Sequence, residues 1–268
     1  LVVIPNSELA GTQFTVLTTG TRTFGENIEV HFAYGTPPAK VMDALEKAVL
    51  SVDLVLPEPP YDIDLVGLDD KGVRYEVTIH TRTRKQGEEA VTEVLRKLWY
   101  ICQRESLILA GAAHRLNGAS DLRHPGPAEC AEALAATELF PADATGIDRI
   151  VRSSQHELYD EGEVLLELGN AFTRLYVVAE GSLAVTVGHG ETERVVQRVE
   201  AGGFFITRAF LTGAPSGVRL RADGEVSVIR LDADPVLEFL TDNPVLARRA
   251  EEAIDLMEIG LSTMRRRR

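Results

Sequence analysis

Between Ala201 and Ala222 the chain reads AGGFFITRAFLTGAPSGVRLRA. Its glycine spacing suits a loop that cradles phosphate, because residues without a side chain let backbone N–H groups converge on an anion. Arg208 and Arg219 stand beside the turn as cationic groups that could swing toward such an anion. No aspartate or glutamate lies in the stretch to accept hydrogen bonds from a sugar. A loop of this kind matters only if neighbouring elements hold it and respond to it.

Elsewhere the chemistry is thin. His31 and His80 sit at strand positions with apolar neighbours and read as packed or solvated residues, not ligands. Cys102 and Cys130 are far apart and in no metal-ligand spacing, which argues against a disulfide framework or a zinc site and fits a reducing, cytosolic compartment. There are no paired carboxylates, no nucleophile elbow and no metal-ligand cluster of credible spacing, so an enzyme is not expected. The formal net charge of −13 argues against a nucleic-acid binder as a whole, and the basic run Arg265 to Arg268 reads as a frayed terminus or as a solvated or lipid-facing tail.

The 268 residues, 44% hydrophobic, suffice for two packed cores. No run of about 18 apolar residues is present to span a bilayer. The first residue is Leu1 and not Met, so the sequence is expected to be the downstream part of a longer chain.

The elements of the first half follow from periodicity. NIEVHFAY, residues 27–34, alternates as a half-buried strand with Ile28, Val30, Phe32 and Tyr34 on one face. In GTPPAKVMDALEKAVLSV, Thr36 is the expected cap, Pro37 or Pro38 suits the first turn, and Val41, Ala44, Leu45, Ala48 and Val49 recur at helical spacing. YDIDLVGL and GVRYEVTIHTRT form two antiparallel strands turned at Asp69 to Gly72. A second helix is expected from about Gly87 to Arg104, with Val91, Val94, Leu95, Leu98 and Cys102 on its apolar stripe. The order strand, helix, strand, strand, helix predicts a split α/β sandwich with two helices on one sheet face.

The run VVIPNSELAG, with Val3-Ile4-Pro5-Asn6 and Gly11, followed by the strand ending in AYGTPPAKV, resembles the cytosolic portion of the small-conductance mechanosensitive (MscS-like) channel family over about residues 1–112. The resemblance implies that residues 1–26 end a small β domain below a pore, that 27–112 form the α/β domain, and that such domains assemble as a heptameric cage on the cytoplasmic side of the cell membrane.

Residues 113–128, rich in Gly, Ala, Ser and Pro, read as a linker. Short helices are expected through Asp160, burying Leu134, Leu139, Ile147, Ile150 and Val151, and from Tyr159 the period changes to two. GEVLLELGN, RLYVVAEGSLAVTVG, ERVVQRVEAGG, GVRLRA and EVSVIRL are short strands between glycine turns, the pattern of a small roll. Asp234-Pro235 and Asn243-Pro244 each read as a cap followed by proline, and the last helix carries Leu246, Ala250, Ala253, Ile254 and Met257 on one face that needs a partner surface.

Helices, an eight-stranded roll and helices again, with Gly162-Glu163, Gly169-Asn170, Gly181 and Gly202-Gly203-Phe204-Phe205, resemble the cyclic-nucleotide-binding domain family over about residues 129–262. In that family a phosphate cassette reads Phe-Gly-Glu, an apolar stretch, then Gly-x-x-Arg, a small hydroxyl residue and Ala. Carried over without gaps, the Phe is Phe205, the Gly is Ile206, the Glu is Thr207, the Arg is Ser216, the hydroxyl residue is Gly217 and the Ala is Val218. The resemblance implies cyclic AMP as ligand, yet both charged contacts are replaced, with Arg208 and Arg219 as candidate substitutes. The sequence thus predicts an α+β chain without an assured cofactor: a channel vestibule and a regulatory roll, with residues 263–268 as a basic tail. Its rival is a roll used only for assembly or partner binding.

Overall fold

The computed structural model describes residues 23–110, 127–188 and 190–265. The expected end of a small β domain, apart from its last four residues, most of the linker and the end of the basic tail lie outside them. The chain divides into two compact units, with the division between Leu98 and Trp99.

In the first unit, three antiparallel strands, β1 (Phe24–Phe32), β2 (Asp62–Asp69) and β3 (Gly72–Thr81), form a sheet ordered β1-β3-β2. Strand alternation sends Ile28, Val30 and Phe32 of β1 and Val73, Tyr75, Val77 and Ile79 of β3 to one buried face. Two helices supply its apolar partners. In α1 (Pro38–Leu50) the five expected residues, Val41, Ala44, Leu45, Ala48 and Val49, are all buried. The cap position belongs to Pro37, in extended conformation without a side-chain cap, and not to Thr36. Pro38 opens the helix, where a missing N–H costs nothing.

The second helix, α2 (Arg84–Glu105), starts three residues earlier than expected, after Thr83, whose Oγ1 accepts the Gln86 amide at 3.2 Å. Gly87 therefore lies within it, close against β1: a Cβ there would fall 2.8 Å from Glu26 Cγ. Ala90, Val94, Leu98 and Ile101 centre the buried stripe, and Leu95, just past its edge, is exposed. Tyr34 is also exposed, because β1 ends at Phe32 and a turn carries Tyr34 off the sheet, where its hydroxyl donates to the Asp69 carbonyl at 2.5 Å. His31 pairs with Asp69 at 3.2 Å. The Lys71 amide, and then His31, hold the Asp69 carboxyl below its ordinary pKa.

The second unit begins with two short helices, α3 (Pro127–Ala135) and α4 (Ile147–Ser153), which bury Leu134 and Ile150, while Ile147 and Val151 are partly buried against the same core. Strand β4 (Gln155–Tyr159) occupies residues expected to be helical. The sequence hid it, because the strand carries polar residues on both faces, including the buried Glu157. The remaining strands are β5 (Val164–Leu166), β6 (Arg174–Glu180), β7 (Ser182–Val187), β8 (Arg194–Glu200), β9 (Phe204–Phe205), β10 (Arg219–Ala222) and β11 (Val226–Asp232). They form two four-stranded antiparallel sheets, ordered β5-β10-β7-β8 and β4-β11-β6-β9, around one hydrophobic core.

Gly181 makes the β6–β7 turn with φ at +79°, and a Cβ there would fall 2.5 Å from the Glu225 carbonyl oxygen, so both conformation and space require glycine. Helix α5 (Arg208–Thr212) lies between β9 and β10. Helix α6 (Ala233–Asp242) is capped by Asp232, two residues before the expected cap, which leaves Pro235 in the first turn where backbone N–H groups have no intrahelical acceptor. Helix α7 (Pro244–Arg265) follows after Asn243 alone, with Pro244 at its start as expected. Leu246, Ala250, Ile254 and Met257 of α7 join the core, so the surface that the terminal stripe required is the roll itself.

Candidate functional site

The loop from Ala201 to Ala222 is held at both ends by the sheets. The Gly202 amide donates to the Val178 carbonyl at 2.8 Å and the Val178 amide to the Gly203 carbonyl at 2.9 Å, which anchors β9 beside β6. Phe205 and Phe210 flank Phe172, with ring centroids 5.6 and 5.5 Å away, and all three side chains are buried. Gly213 ends α5 in the left-handed conformation at φ +67°. The chain then returns against residues 169–171: the Ser216 amide donates to the Asn170 carbonyl and the Gly169 amide to the Ser216 carbonyl, each at 2.8 Å.

Six of the eight sequence-derived candidates line this loop as consecutive pieces of its frame. Phe205, Ile206 and Val218 are buried core residues, and Gly217 is exposed. Thr207 is nine-tenths buried at the start of α5, and its Oγ1 has no hydrogen-bond partner among the described residues. Ser216, also buried, donates through Oγ to the Val218 carbonyl at 2.8 Å and accepts the Val218 amide at 3.2 Å.

The two arginines point elsewhere. Arg208 reaches the α7 helix, donating to Asp255 at 2.9 Å on the exposed surface. Arg219 pairs with Thr186 across β10 and β7, on the sheet face opposite Leu220 and Val185, which face the core. There its guanidinium is braced by Glu167 at 2.9 Å and Glu193 at 3.1 Å, and Glu193 also accepts the buried Thr186 hydroxyl at 2.6 Å. These carboxylate partners were not found by sequence reasoning, because only strand pairing brings them near.

A second concavity, a cleft of about 580 Å³, opens between α3 and the sheet containing β4, lined in part by Glu129, Glu132, Leu158 and Ile229. Within it His156 Nε2 lies 2.6 Å from Ser227 Oγ. No group of three or more His, Cys, Asp or Glu among the described residues is arranged to hold a metal ion. None of the described helices is long and apolar enough to cross a membrane.

Residues 26–109 match the family "Mechanosensitive ion channel MscS, C-terminal" and residues 156–243 match the family "Cyclic nucleotide-binding domain". No curated protein matches the chain. Among solved structures, the sensor domain of the transcriptional regulator DNR from Pseudomonas aeruginosa is similar at 16% identity and a TM-score of 0.44, over 49% of this chain and 89% of that one. Thermus thermophilus Catabolite Activator Protein is similar at 24% identity and a TM-score of 0.40, over 47% of this chain and 61% of that one. The three-stranded sheet with its two helices lies in the first matched range and the two-sheet roll with helix α6 in the second: the chain carries an MscS C-terminal domain followed by a cyclic nucleotide-binding domain.

Proposed function

We propose that this chain is the cytosolic vestibule and regulatory region of an MscS-like membrane channel, and that its roll keeps the cyclic-nucleotide-binding fold without the charged contacts that hold a cyclic nucleotide. The succession of the two domain families in one chain carries the first part of this reading. Neither domain is an enzyme. In the full channel the vestibule is a heptamer beneath pore helices supplied by the rest of the protein, on the cytoplasmic side of the membrane.

The second part rests on the cassette. With the family's cassette laid without gaps onto this sequence, Thr207 takes the position of the glutamate that accepts ribose hydroxyls and Ser216 that of the arginine that pairs with the cyclic phosphate. A charge-assisted hydrogen bond contributes about 1.5 to 3 kcal/mol, so lacking the arginine alone costs roughly one to two decades in affinity. Ile206 adds a side chain where the family keeps glycine at the point of closest backbone approach. The orphaned Thr207 hydroxyl offers one neutral hydrogen-bonding group in place of a carboxylate.

A second reading, a roll that serves assembly or partner binding alone, draws support from the arginines. Arg208 and Arg219 are engaged by carboxylates, and Ser216 is satisfied within its own loop. In either case a ligand or partner shifts the pore equilibrium only by its differential affinity for the two states of the roll.

Isothermal titration of the chain with cyclic AMP and cyclic GMP, beside a Thr207→Glu, Ser216→Arg double variant verified as folded by circular dichroism, tests the cassette argument. Heat only from the variant supports a roll that has left cyclic-nucleotide sensing. Micromolar binding by the natural sequence overturns that part of the proposal and directs attention to Arg208.

A further inference from the structure

The second unit contains a run of buried charged and polar side chains that neither the cassette nor the apolar core requires. Helix α2 starts in the first unit and enters the second at Trp99. In its last turn Arg104 donates to both carboxylate oxygens of Glu163, at 3.0 and 2.8 Å, and to the Leu158 carbonyl at 2.7 Å. The same guanidinium lies 4.3 Å from the centroid of the Tyr159 ring. Glu163 is fixed in turn by the Asp160 amide at 2.7 Å. Only 15% of the Arg104 side chain and 8% of that of Glu163 are exposed, so this is a desolvated, bidentate pair and not a surface contact.

From Tyr159 the contacts continue. Its hydroxyl donates to Glu157 at 2.7 Å, and the other oxygen of Glu157 lies 3.0 Å from Arg230 Nη1. Glu157 and Tyr159 are two apart on β4, and their partners across the ladder, Val228 and Val226, are in step with Arg230 on β11, so the three polar residues share one sheet face. Tyr176 on the same face reaches the Leu165 carbonyl of the other sheet at 3.2 Å, which places the run between the sheets. Arg230 precedes by two residues Asp232, the cap of α6, and its Nε stands 4.0 Å from that carboxylate. Burial, reinforced by Glu157, raises the Tyr159 phenol well above its ordinary range, so it remains a donor throughout the physiological range.

We propose that Arg104, Tyr159, Glu157 and Arg230 form a relay that ties the last turn of α2 to the start of α6. Two cations and two carboxylates, with Glu163 included, cancel in charge, and removing either cation or either carboxylate strands a buried charge. The positions therefore shift together or not at all, which is the property a transmission element needs. A movement of α6 and α7 in the roll would then be felt at the end of α2, whichever ligand or partner drives it.

Amide hydrogen exchange of the whole chain is compared with that of Tyr159→Phe, which keeps the ring under Arg104 and removes only the hydroxyl, and of Arg104→Lys, which keeps the charge. Circular dichroism verifies both folds. The relay predicts that Arg104→Lys speeds exchange in residues 233–242, which Arg104 does not touch, by about fivefold, a size within the range of measured coupling energies. It also predicts that Tyr159→Phe speeds exchange in both 99–105 and 233–242 while β7 and β8 are unchanged. Unaltered exchange in 233–242 for Arg104→Lys, or a response confined to β4 and its immediate neighbours, overturns it.

Discussion

The Ser216 hydroxyl and the Val218 backbone close a two-residue hook, donating to the carbonyl at 2.8 Å and accepting from the amide at 3.2 Å. Both residues are buried, so water cannot replace the bond if the hydroxyl is removed. Ser216→Ala leaves the Val218 N–H unsatisfied and is expected to destabilise the roll by about 1 to 3 kcal/mol, read as a lower urea midpoint. No loss of midpoint would mean that the hook holds nothing together.

Two glycines with similar dihedral angles should respond differently to the same substitution. Gly181 and Gly169 have φ at +79° and +86°, but a Cβ on Gly181 meets the Glu225 carbonyl oxygen at 2.5 Å, whereas one on Gly169 meets nothing within 4 Å. Gly169→Ala should cost about 1 to 2 kcal/mol for the left-handed backbone alone, and Gly181→Ala clearly more. Thermal melts of the two variants decide it, and equal losses would show that the turn relaxes around the clash.

Ion pairs in the second unit divide by exposure. Arg149 and Glu238 meet at 2.6 Å with about 62% and 63% of their side chains exposed, and Glu238→Ala is expected to cost less than about 1 kcal/mol. Glu163→Ala strands the buried Arg104 guanidinium and should cost about 3 to 5 kcal/mol. Chemical denaturation of both variants tests the contrast.

Alkaline pH should weaken the fold through Cys102. Burial, then the charge of Glu105, push its thiol from an ordinary 9.0 up to about 12. The unfolded chain therefore loses this proton first, so the stabilisation is complete below about pH 9 and is lost as pH rises toward 12. The Tyr159 and Tyr176 phenols, likewise raised by burial, act in the same direction from higher pH. Stability measured from pH 8 to 10 should fall, and Cys102→Ala should remove the earliest part of that fall. At neutral pH the thiol should react slowly with disulfide reagents.

The apolar frame could be read from periodicity because each element repeats its own spacing. The α1 stripe from Val41 to Val49 and the α7 stripe from Leu246 to Met257 are examples, and both are buried. Strand β4 escaped because His156, Glu157 and Tyr159 spend buried or half-buried positions on polar contacts and so break the alternation that marks a strand. The loop positions Thr207 and Ser216 could be located by counting from the glycines. What Arg208 and Arg219 touch could not, because their carboxylates lie 47, 52 and 26 residues away in the chain and meet them only after folding. Capping followed the same division: Pro37 and Asp232 take the cap positions expected for Thr36 and Asp234, since a periodic pattern locates the body of a helix and not its terminal residue.

One amide governs the joint between α6 and α7. Asn243 is the single residue between the two helices, and its Nδ2 donates at 2.8 Å to the Phe239 carbonyl and at 2.8 Å to the Thr145 carbonyl. Hydrolysis of that amide to a carboxylate would turn two donations into two repulsions. Asparagine usually ages this way when the nitrogen of the next residue attacks its side chain, but the next residue is Pro244, whose ring nitrogen carries no hydrogen. The proline that starts α7 thus also shields the joint before it from chemical ageing.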